Sequence, residues 1–205
     1  PYLLLEKPNV LVIGVGGGVD MVNAVKQGAR HVTGAELQPL TVWLLKDHLK
    51  RFTGSFYSRE DVTLVAGEGR HFVRKHDEVY DLIQITGVDT FAAQSTGAYV
   101  LAESYLYTVE AIEDYLSRLS DDGIVSLVIG DIVMPGSLPP LATRMSLLGY
   151  RALEAQGAAE PGRHILILGA AAPGGFSEDQ IVMIAKEPYE AGEIETLRRF
   201  AASNG

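Results

Sequence analysis

A glycine-rich turn between a short apolar run and an amphipathic segment constrains the fold more than any other sequence feature. The apolar run covers residues 10–13, the turn reads Gly14-Val15-Gly16-Gly17-Gly18, and the amphipathic segment covers residues 19–27. The length and branching of the run predict a strand that is buried on both faces, followed by a helix. Glycines permit a tight turn there, and the helix presents free N–H groups to it. The turn therefore either binds a ligand or serves only as a tight connection.

Apolar runs and amphipathic segments alternate along the rest of the chain. Further strands are predicted at residues 31–35, 62–65, 82–85, 124–129, 165–168 and 181–184. Further helices are predicted at residues 39–51, 71–75, 108–119, 139–155 and 193–202, with Trp43 at a core position of the first of these. This alternation predicts a parallel sheet covered by helices on both faces. We expect an α/β, Rossmann-like, doubly wound and mostly parallel sheet of about seven strands, with an antiparallel C-terminal strand pair.

The composition is that of a globular protein and argues against several classes of function. The chain has 205 residues, 47% of them hydrophobic, which suits a single domain over residues 1–205. It has no cysteine, which excludes a disulfide scaffold and a thiolate site and fits the cytoplasm. The net charge of −9, without a basic run, predicts no nucleic-acid partner. The five histidines are scattered, so no metal site is predicted.

The apolar stretches of the chain and its first residues bear on targeting. No stretch approaches the ~20 apolar residues that cross a bilayer. Glu6, Lys7 and Pro8 interrupt the apolar start, so no signal peptide is predicted. The chain opens at Pro1 without a methionine, from which we expect a trimmed chain or a fragment of a longer protein.

Two glutamates follow predicted strands. Glu36 ends the second strand, 22 residues after Gly14. In Rossmann-like folds an acid at this position accepts hydrogen bonds from ribose hydroxyls, although it could also be an exposed strand-end carboxylate. Glu68 follows the third strand and either accepts from an exocyclic amine such as that of adenine or caps the next helix.

Four segments, residues 10–18, 32–39, 62–72 and 80–89, resemble the spermidine/spermine synthase family, which has the S-adenosylmethionine-dependent methyltransferase fold. The resemblance extends through residues 101–128. It implies that Gly14, Gly16, Gly17 and Gly18 face the amino-acid or aminopropyl part of the nucleotide. It also implies a set of contacts farther along the ligand: Glu36 with its neighbour Leu37 at the ribose, and Glu68 with its neighbour Gly69 at the adenine edge. The expected co-substrate is S-adenosylmethionine or its decarboxylated form, without a metal.

Two positions depart from the family's pattern. Spermidine synthases carry an aspartate where this chain has Gly17, and another directly after strand four, where this chain has Thr86. Thr86 is included in the predicted co-substrate site. Asp89, three residues later, is the predicted catalytic residue, because aminopropyl transfer needs a carboxylate near the attacking amine; it could instead cap a loop. Asp20 either reaches back to the turn or favours the helix dipole.

Three functions remain open at this point. The first is a polyamine-synthase type transferase that moves an aminopropyl group to a small-molecule amine, such as a polyamine. The second is a methyltransferase, which the missing acids favour because methyl transfer can rely on positioning. The third is a non-catalytic nucleoside-binding domain of a larger protein. The resemblance also implies a homodimer, and a membrane segment outside this chain, since some bacterial relatives are fused to one.

Overall fold

The computed structural model describes residues 1–88, 105–131, 138–169 and 178–204, which contain seven strands and six α-helices. The strands are β1 (Asn9–Ile13), β2 (His31–Glu36), β3 (Val62–Ala66), β4 (Tyr80–Thr86), β5 (Leu119–Asp131), β6 (Ile165–Gly169) and β7 (Glu178–Ala185). The helices are α1 (Val19–Lys26), α2 (Pro39–Trp43), α3 (Gly69–Lys75), α4 (Val109–Leu116), α5 (Pro140–Ala155) and α6 (Ala191–Asn204). None of these helices has the length and apolar character needed to cross a membrane.

The strands form one sheet in the order β3-β2-β1-β4-β5-β7-β6. Strands β1 to β5 run parallel, whereas β7 pairs antiparallel with both β5 and β6. The predicted α/β fold with an antiparallel C-terminal pair is therefore confirmed. The chain runs from β1 outward to β3 and then returns to β4, on the other side of β1. Ligands of open α/β sheets bind at such a reversal of strand order, beyond the carboxyl ends of the strands.

The hydrophobic core lies on both faces of the sheet, because successive side chains of the central strands point to opposite sides. Leu11 and Ile13 of β1 pack into the cluster that includes α4 and α5. Val10 and Val12 of the same strand pack into the second cluster, with α1 and α6. All four are fully buried or nearly so, as predicted for a strand covered on both faces.

The structure differs from expectation near α2 and α4. The α-helical hydrogen bonding of α2 ends at Trp43 and continues as a π-helical turn over Leu44–His48. Trp43 is 49% exposed, with its ring stacked on His48, so its predicted core position is wrong. Helix α4 stops at Leu116, and Leu119 instead begins β5, where it pairs with Tyr80.

Candidate active site

A cavity of about 990 Å³ opens beyond the carboxyl ends of the parallel strands, around the point where the strand order reverses. This volume lies within the range of sites for small molecules and cofactors. Eight of the nine residues predicted to bind the co-substrate line it: Gly14, Gly16, Gly17, Glu36, Leu37, Glu68, Gly69 and Thr86. Their positions agree with the sequence-based hypothesis, and their role in binding stays a prediction.

The glycine turn has two tight positions and two open ones. Gly14 and Gly18 have φ angles of +80° and +85°, a region that favours glycine, and a side chain at either would clash with Val88 or Tyr57 respectively. Gly18 is buried and, unlike the other three glycines of the turn, does not line the cavity. Gly16 and Gly17 have nothing within 4 Å of an added Cβ, so this part of the backbone is open to a ligand.

The Glu36 carboxylate ties the glycine turn to the end of β2. Its Oε2 accepts from the Gly16 N–H at 2.9 Å, and its Oε1 accepts from the Gln38 N–H at 2.9 Å. The residue is only 7% exposed, so the alternative of an exposed strand-end carboxylate is wrong. Each carboxylate oxygen has more than one acceptor site, so the group can still accept from ligand hydroxyls.

Glu68 caps α3, as one of its two sequence-based interpretations predicts. Its Oε1 accepts from the Arg70 N–H at 2.8 Å and its Oε2 from the His71 N–H at 2.6 Å. The same side chain lines the cavity, so capping holds the carboxylate beside any bound molecule. Gly69 is buried against Ile13, where a side chain would clash, and this lets α3 begin close to β1.

Asp20, Gln84 and Thr86 form a hydrogen-bonded group where α1 begins beside the end of β4, and Asp20 and Thr86 line the cavity. The Gln84 Nε2 donates to Asp20 Oδ1 at 2.8 Å and to Thr86 Oγ1 at 3.3 Å, and its Oε1 accepts from the Tyr2 hydroxyl at 3.0 Å. Burial raises the pKa of Asp20, although hydrogen bonds from Thr86 and Gln84 oppose the rise. The dipole interpretation of Asp20 is thus incomplete, because its side chain also lines the cavity.

Two residues near the cavity were not predicted. Gln84 is a polar residue inside the otherwise apolar run 82–85. Because a buried amide needs hydrogen-bond partners, its place in this run is the sequence signal that could have revealed it.

Arg70 forms an ion pair with Asp114 of α4 at 2.6 Å, and its guanidinium lies 4.3 Å from the centroid of the Tyr105 ring. Tyr105 lines the cavity, and no local pattern reveals this contact across the chain.

The cavity is acidic. Its described lining contains the carboxylates of Asp20, Glu36 and Glu68, and no lysine, arginine or histidine. Asp89 lies outside the described residues, within the segment 89–104, whose sequence contains two acids and no basic residue. In the part of the chain that the structure describes, no group of three potential ligands could hold a metal ion.

A second cavity of about 340 Å³ lies at the opposite edge of the sheet, where β5 begins and β7 ends. It contains none of the predicted site residues. Because ligands of such sheets bind beyond the carboxyl ends of the parallel strands, the larger cavity is the candidate active site.

Comparison with known proteins gives both sequence and structural relatives, while no family model matches the chain. The polyamine aminopropyltransferase of Korarchaeum cryptofilum is 31% identical over 93 residues, which are 44% of this chain and 29% of that protein. The polyamine aminopropyltransferase of Sulfolobus acidocaldarius is 26% identical over 126 residues, which are 60% of this chain and 39% of that protein. The matches thus span well under half the length of these curated relatives.

Two solved spermidine synthases share the fold over 98% of this chain. The enzyme from Thermotoga maritima matches with a TM-score of 0.63 at 20% identity, over 62% of its own length. A spermidine synthase in complex with the transition-state analogue AdoDATO matches with a TM-score of 0.61 at 19% identity, over 61% of its length. The resemblance drawn from the sequence is thereby confirmed: part of this chain is similar in sequence to polyamine aminopropyltransferases, and the chain shares the fold of spermidine synthases, which is the S-adenosylmethionine-dependent methyltransferase fold.

Proposed function

We propose that this chain is an aminopropyltransferase that uses decarboxylated S-adenosylmethionine and a small-molecule amine acceptor, such as a polyamine. The observation that carries the proposal is the charge of the cavity: three carboxylates and no basic side chain in its described lining. Decarboxylated S-adenosylmethionine carries two positive charges, on the sulfonium and on the ammonium. S-adenosylmethionine adds a carboxylate, which would meet no basic side chain among the described lining residues. A low-dielectric acidic site therefore favours the decarboxylated form.

The arrangement of acids along the sheet edge suits an elongated nucleoside. Glu68 follows β3, Glu36 ends β2, and the glycine turn follows β1, so the three lie on successive neighbouring strands. Adjacent strands are ~4.8 Å apart, which is the scale of the steps from adenine to ribose to the sulfonium tail. In the proposed binding mode, Glu68 accepts from the adenine amine, Glu36 accepts from the ribose hydroxyls, and the tail lies over Gly16 and Gly17.

The proposed reaction is a displacement at the carbon beside the sulfonium. The acceptor amine forms the new C–N bond, the C–S bond breaks, and its electron pair goes to sulfur, which leaves methylthioadenosine. The amine must lose a proton, and a carboxylate serves as the base or as the counter-charge. We propose Asp89 for this role. The relatives named polyamine aminopropyltransferase support an acceptor of this class.

A methyltransferase is the second candidate, because one observation favours it. Gly17 and Thr86, at the two positions where the resemblance leads one to expect acids, both line the cavity and carry no charge. Methyl transfer can proceed by positioning alone, without a base. The product would then be S-adenosylhomocysteine rather than methylthioadenosine.

Calorimetric titration followed by product analysis tests the proposal. The ligands are S-adenosylmethionine, its decarboxylated form, S-adenosylhomocysteine and methylthioadenosine. We expect tightest binding of the decarboxylated form, and release of methylthioadenosine when a polyamine is added. Preference for the carboxylated pair, with release of S-adenosylhomocysteine, would favour the methyltransferase.

The remaining outcomes are equally informative. Binding of the nucleosides without turnover of any amine would indicate a non-catalytic nucleoside-binding domain. Absence of binding by all four compounds would overturn the assignment of the cavity. An Asp89→Asn variant that binds normally but releases no methylthioadenosine would support the proposed role of that carboxylate, whereas unchanged turnover would refute it.

A further inference from the structure

Asp20 is the acid of the cavity whose role the fold leaves unexplained. We propose that its carboxylate receives the terminal ammonium of the co-substrate's aminopropyl tail and thereby determines the preference for a cationic tail. The inference rests on the proposed function and names a residue that performs one part of it. Its support is geometric, and comes from the neighbours of the carboxylate, its place along the sheet edge, and the absence of a cationic partner for it among the described residues.

The neighbours of Asp20 orient its carboxylate without neutralising it. The Gln84 amide donates to Asp20 Oδ1 at 2.8 Å, and the Gln84 side chain is itself anchored by the Tyr2 hydroxyl at 3.0 Å. Gln84 and Thr86 are polar but uncharged. The ion pairs formed among the described residues do not include Asp20. The carboxylate is therefore fixed in direction, and no cationic side chain among the described residues pairs with it on the cavity wall.

The other two acids of the cavity are occupied by the protein in a way that Asp20 is not. Glu36 accepts from two backbone N–H groups, and Glu68 accepts from two at the start of α3. In both carboxylates, each oxygen therefore lies next to the partial positive charge of a backbone N–H group. Asp20 has a single side-chain amide and a hydroxyl nearby, and its burial raises its pKa. A bound cation would remove the cost of holding this charge away from water.

The position of Asp20 matches the far end of the proposed ligand. Glu68, Glu36 and the glycine turn follow β3, β2 and β1 in order, and Thr86 ends β4, the next strand of the sheet. Asp20 lies in the first turn of α1. Asp20 and Thr86 both accept a hydrogen bond from the Gln84 amide, and both line the cavity. A tail that extends past the glycine turn, away from Glu36, therefore reaches the Asp20 carboxylate.

Gly17 offers a second position from which a carboxylate could be placed on the cavity wall. It stands on the same cavity wall, its φ lies outside the left-handed region, and an added Cβ would have nothing within 4 Å. An aspartate there is therefore tolerated by the backbone. In a chain that lacks Asp20, Gly17→Asp would return a carboxylate to the same wall from a different position.

The experiment compares two neutral-sulfur nucleosides that differ in the ammonium. 5′-Deoxy-5′-(3-aminopropylthio)adenosine carries the ammonium, and methylthioadenosine lacks it. In the Asp20→Asn variant we expect a roughly 10- to 100-fold loss of affinity for the amine compound, the loss typical of a charge-assisted hydrogen bond, and little change for methylthioadenosine. Addition of Gly17→Asp to that variant should recover at least part of the lost affinity.

The outcomes separate this inference from the proposed function. If wild-type protein binds neither nucleoside, the proposed function fails. If wild-type protein binds both and Asp20→Asn weakens neither, or weakens both equally, the nucleoside site stands and the inference about Asp20 is wrong. A selective loss for the amine compound without rescue by Gly17→Asp would still support Asp20, and would show that the site of the carboxylate matters as well as its charge.

Discussion

Three carboxylates face one cavity, and their surroundings give each a different character. Glu36 is buried and accepts from two backbone N–H groups, Glu68 caps a helix, and the side chains that bond to Asp20 in the described part of the chain are neutral. A carboxylate with backbone donors is structural as well as available to a ligand. One with few donors and partial burial is a better candidate for binding a cation. The effects of a substitution on stability and on ligand binding are therefore predicted separately for each of the three carboxylates.

Replacement of Glu36 by alanine should destabilise the fold even without a ligand. The change leaves the Gly16 and Gln38 N–H groups without their acceptor, so we expect a loss of about 1–3 kcal/mol in the free energy of unfolding. Glu36→Gln, which keeps one acceptor oxygen, should lose less. Urea denaturation measures both, with Glu60→Ala at an exposed position as the control. Equal stability of Glu36→Ala and wild type would show that water replaces the carboxylate at no cost.

Replacement of Asp20 by asparagine should have the opposite effect on stability at neutral pH. Burial raises the pKa of Asp20 in the folded state, so its ionised form costs stability above that pKa. Asp20→Asn should therefore be more stable than wild type at neutral pH, by less than about 1 kcal/mol because the group is only half-buried. The gain should shrink as the pH falls through the folded-state pKa, and disappear below the unfolded-state value of about 3.9.

Thermal unfolding across this pH range gives the test of the Asp20 prediction. Asp47→Asn, at an exposed position, controls for the change in net charge. A variant that is less stable than wild type at neutral pH would mean that the hydrogen bond from Gln84 outweighs the cost of burial.

At the scale of elements, the glycine turn joins β1 to α1 through positions with unequal constraints. Gly18→Ala should cost at least about 1–2 kcal/mol, since its φ is +85° and its methyl would clash with the Tyr57 hydroxyl. Gly17→Ala should remain within about 0.5 kcal/mol of wild type, because its backbone and its surroundings accept a Cβ. Chemical denaturation of the two variants gives the comparison.

A second variant separates the two causes of the Gly18 effect. In Gly18→Ala combined with Tyr57→Phe, the hydroxyl that clashes is gone while the backbone strain stays. Partial recovery relative to Gly18→Ala is the expected result. Complete recovery would assign the whole effect to the hydroxyl, and no recovery would assign it to the backbone conformation together with the tight contact to the ring carbon Cζ at 3.0 Å.

The order of elements was predictable because its signals are local. The apolar run 10–13, the glycines that follow and the amphipathic segment after them lie within one stretch, and each has a direct structural cause. The π-helical turn after Trp43 was not predictable, because its backbone pattern has no sequence signature in the residues around it. Local patterns therefore gave the strands and helices more accurately than the environment of individual side chains.

The candidate site was predictable in its backbone positions and less so in its side-chain contacts. The ends of β1 to β4 meet in any parallel sheet, which placed the glycine turn, Glu36, Glu68 and Thr86 together. The contact between Gln84 and Asp20 joins residues 64 positions apart, and that between Tyr2 and Gln84 joins residues 82 apart. Such pairs depend on how α1 and the N-terminal segment pack on the sheet.

At the scale of the whole molecule, charge is the property that connects fold and ligand. The chain has a net charge of −9, and its larger cavity is lined by acids. Raising the salt concentration from about 0.05 M to about 0.5 M should weaken binding of decarboxylated S-adenosylmethionine several-fold, because salt screens the attraction between charges. Binding of the uncharged methylthioadenosine should change little. Calorimetry in matched buffers measures both, and equal salt dependence of the two ligands would contradict a charge-based preference.

The described lining of this cavity comes entirely from residues 13–106, whereas β5 to β7, α5 and α6 contribute nothing to it. For the described residues of the antiparallel end of the sheet, packing in the core is therefore the main constraint. In a lineage of such proteins, the first half would change slowly under selection for chemistry, while the second half would drift freely within the limits of a filled core. Variants that alter ligand preference without loss of stability should accordingly be found in the first half.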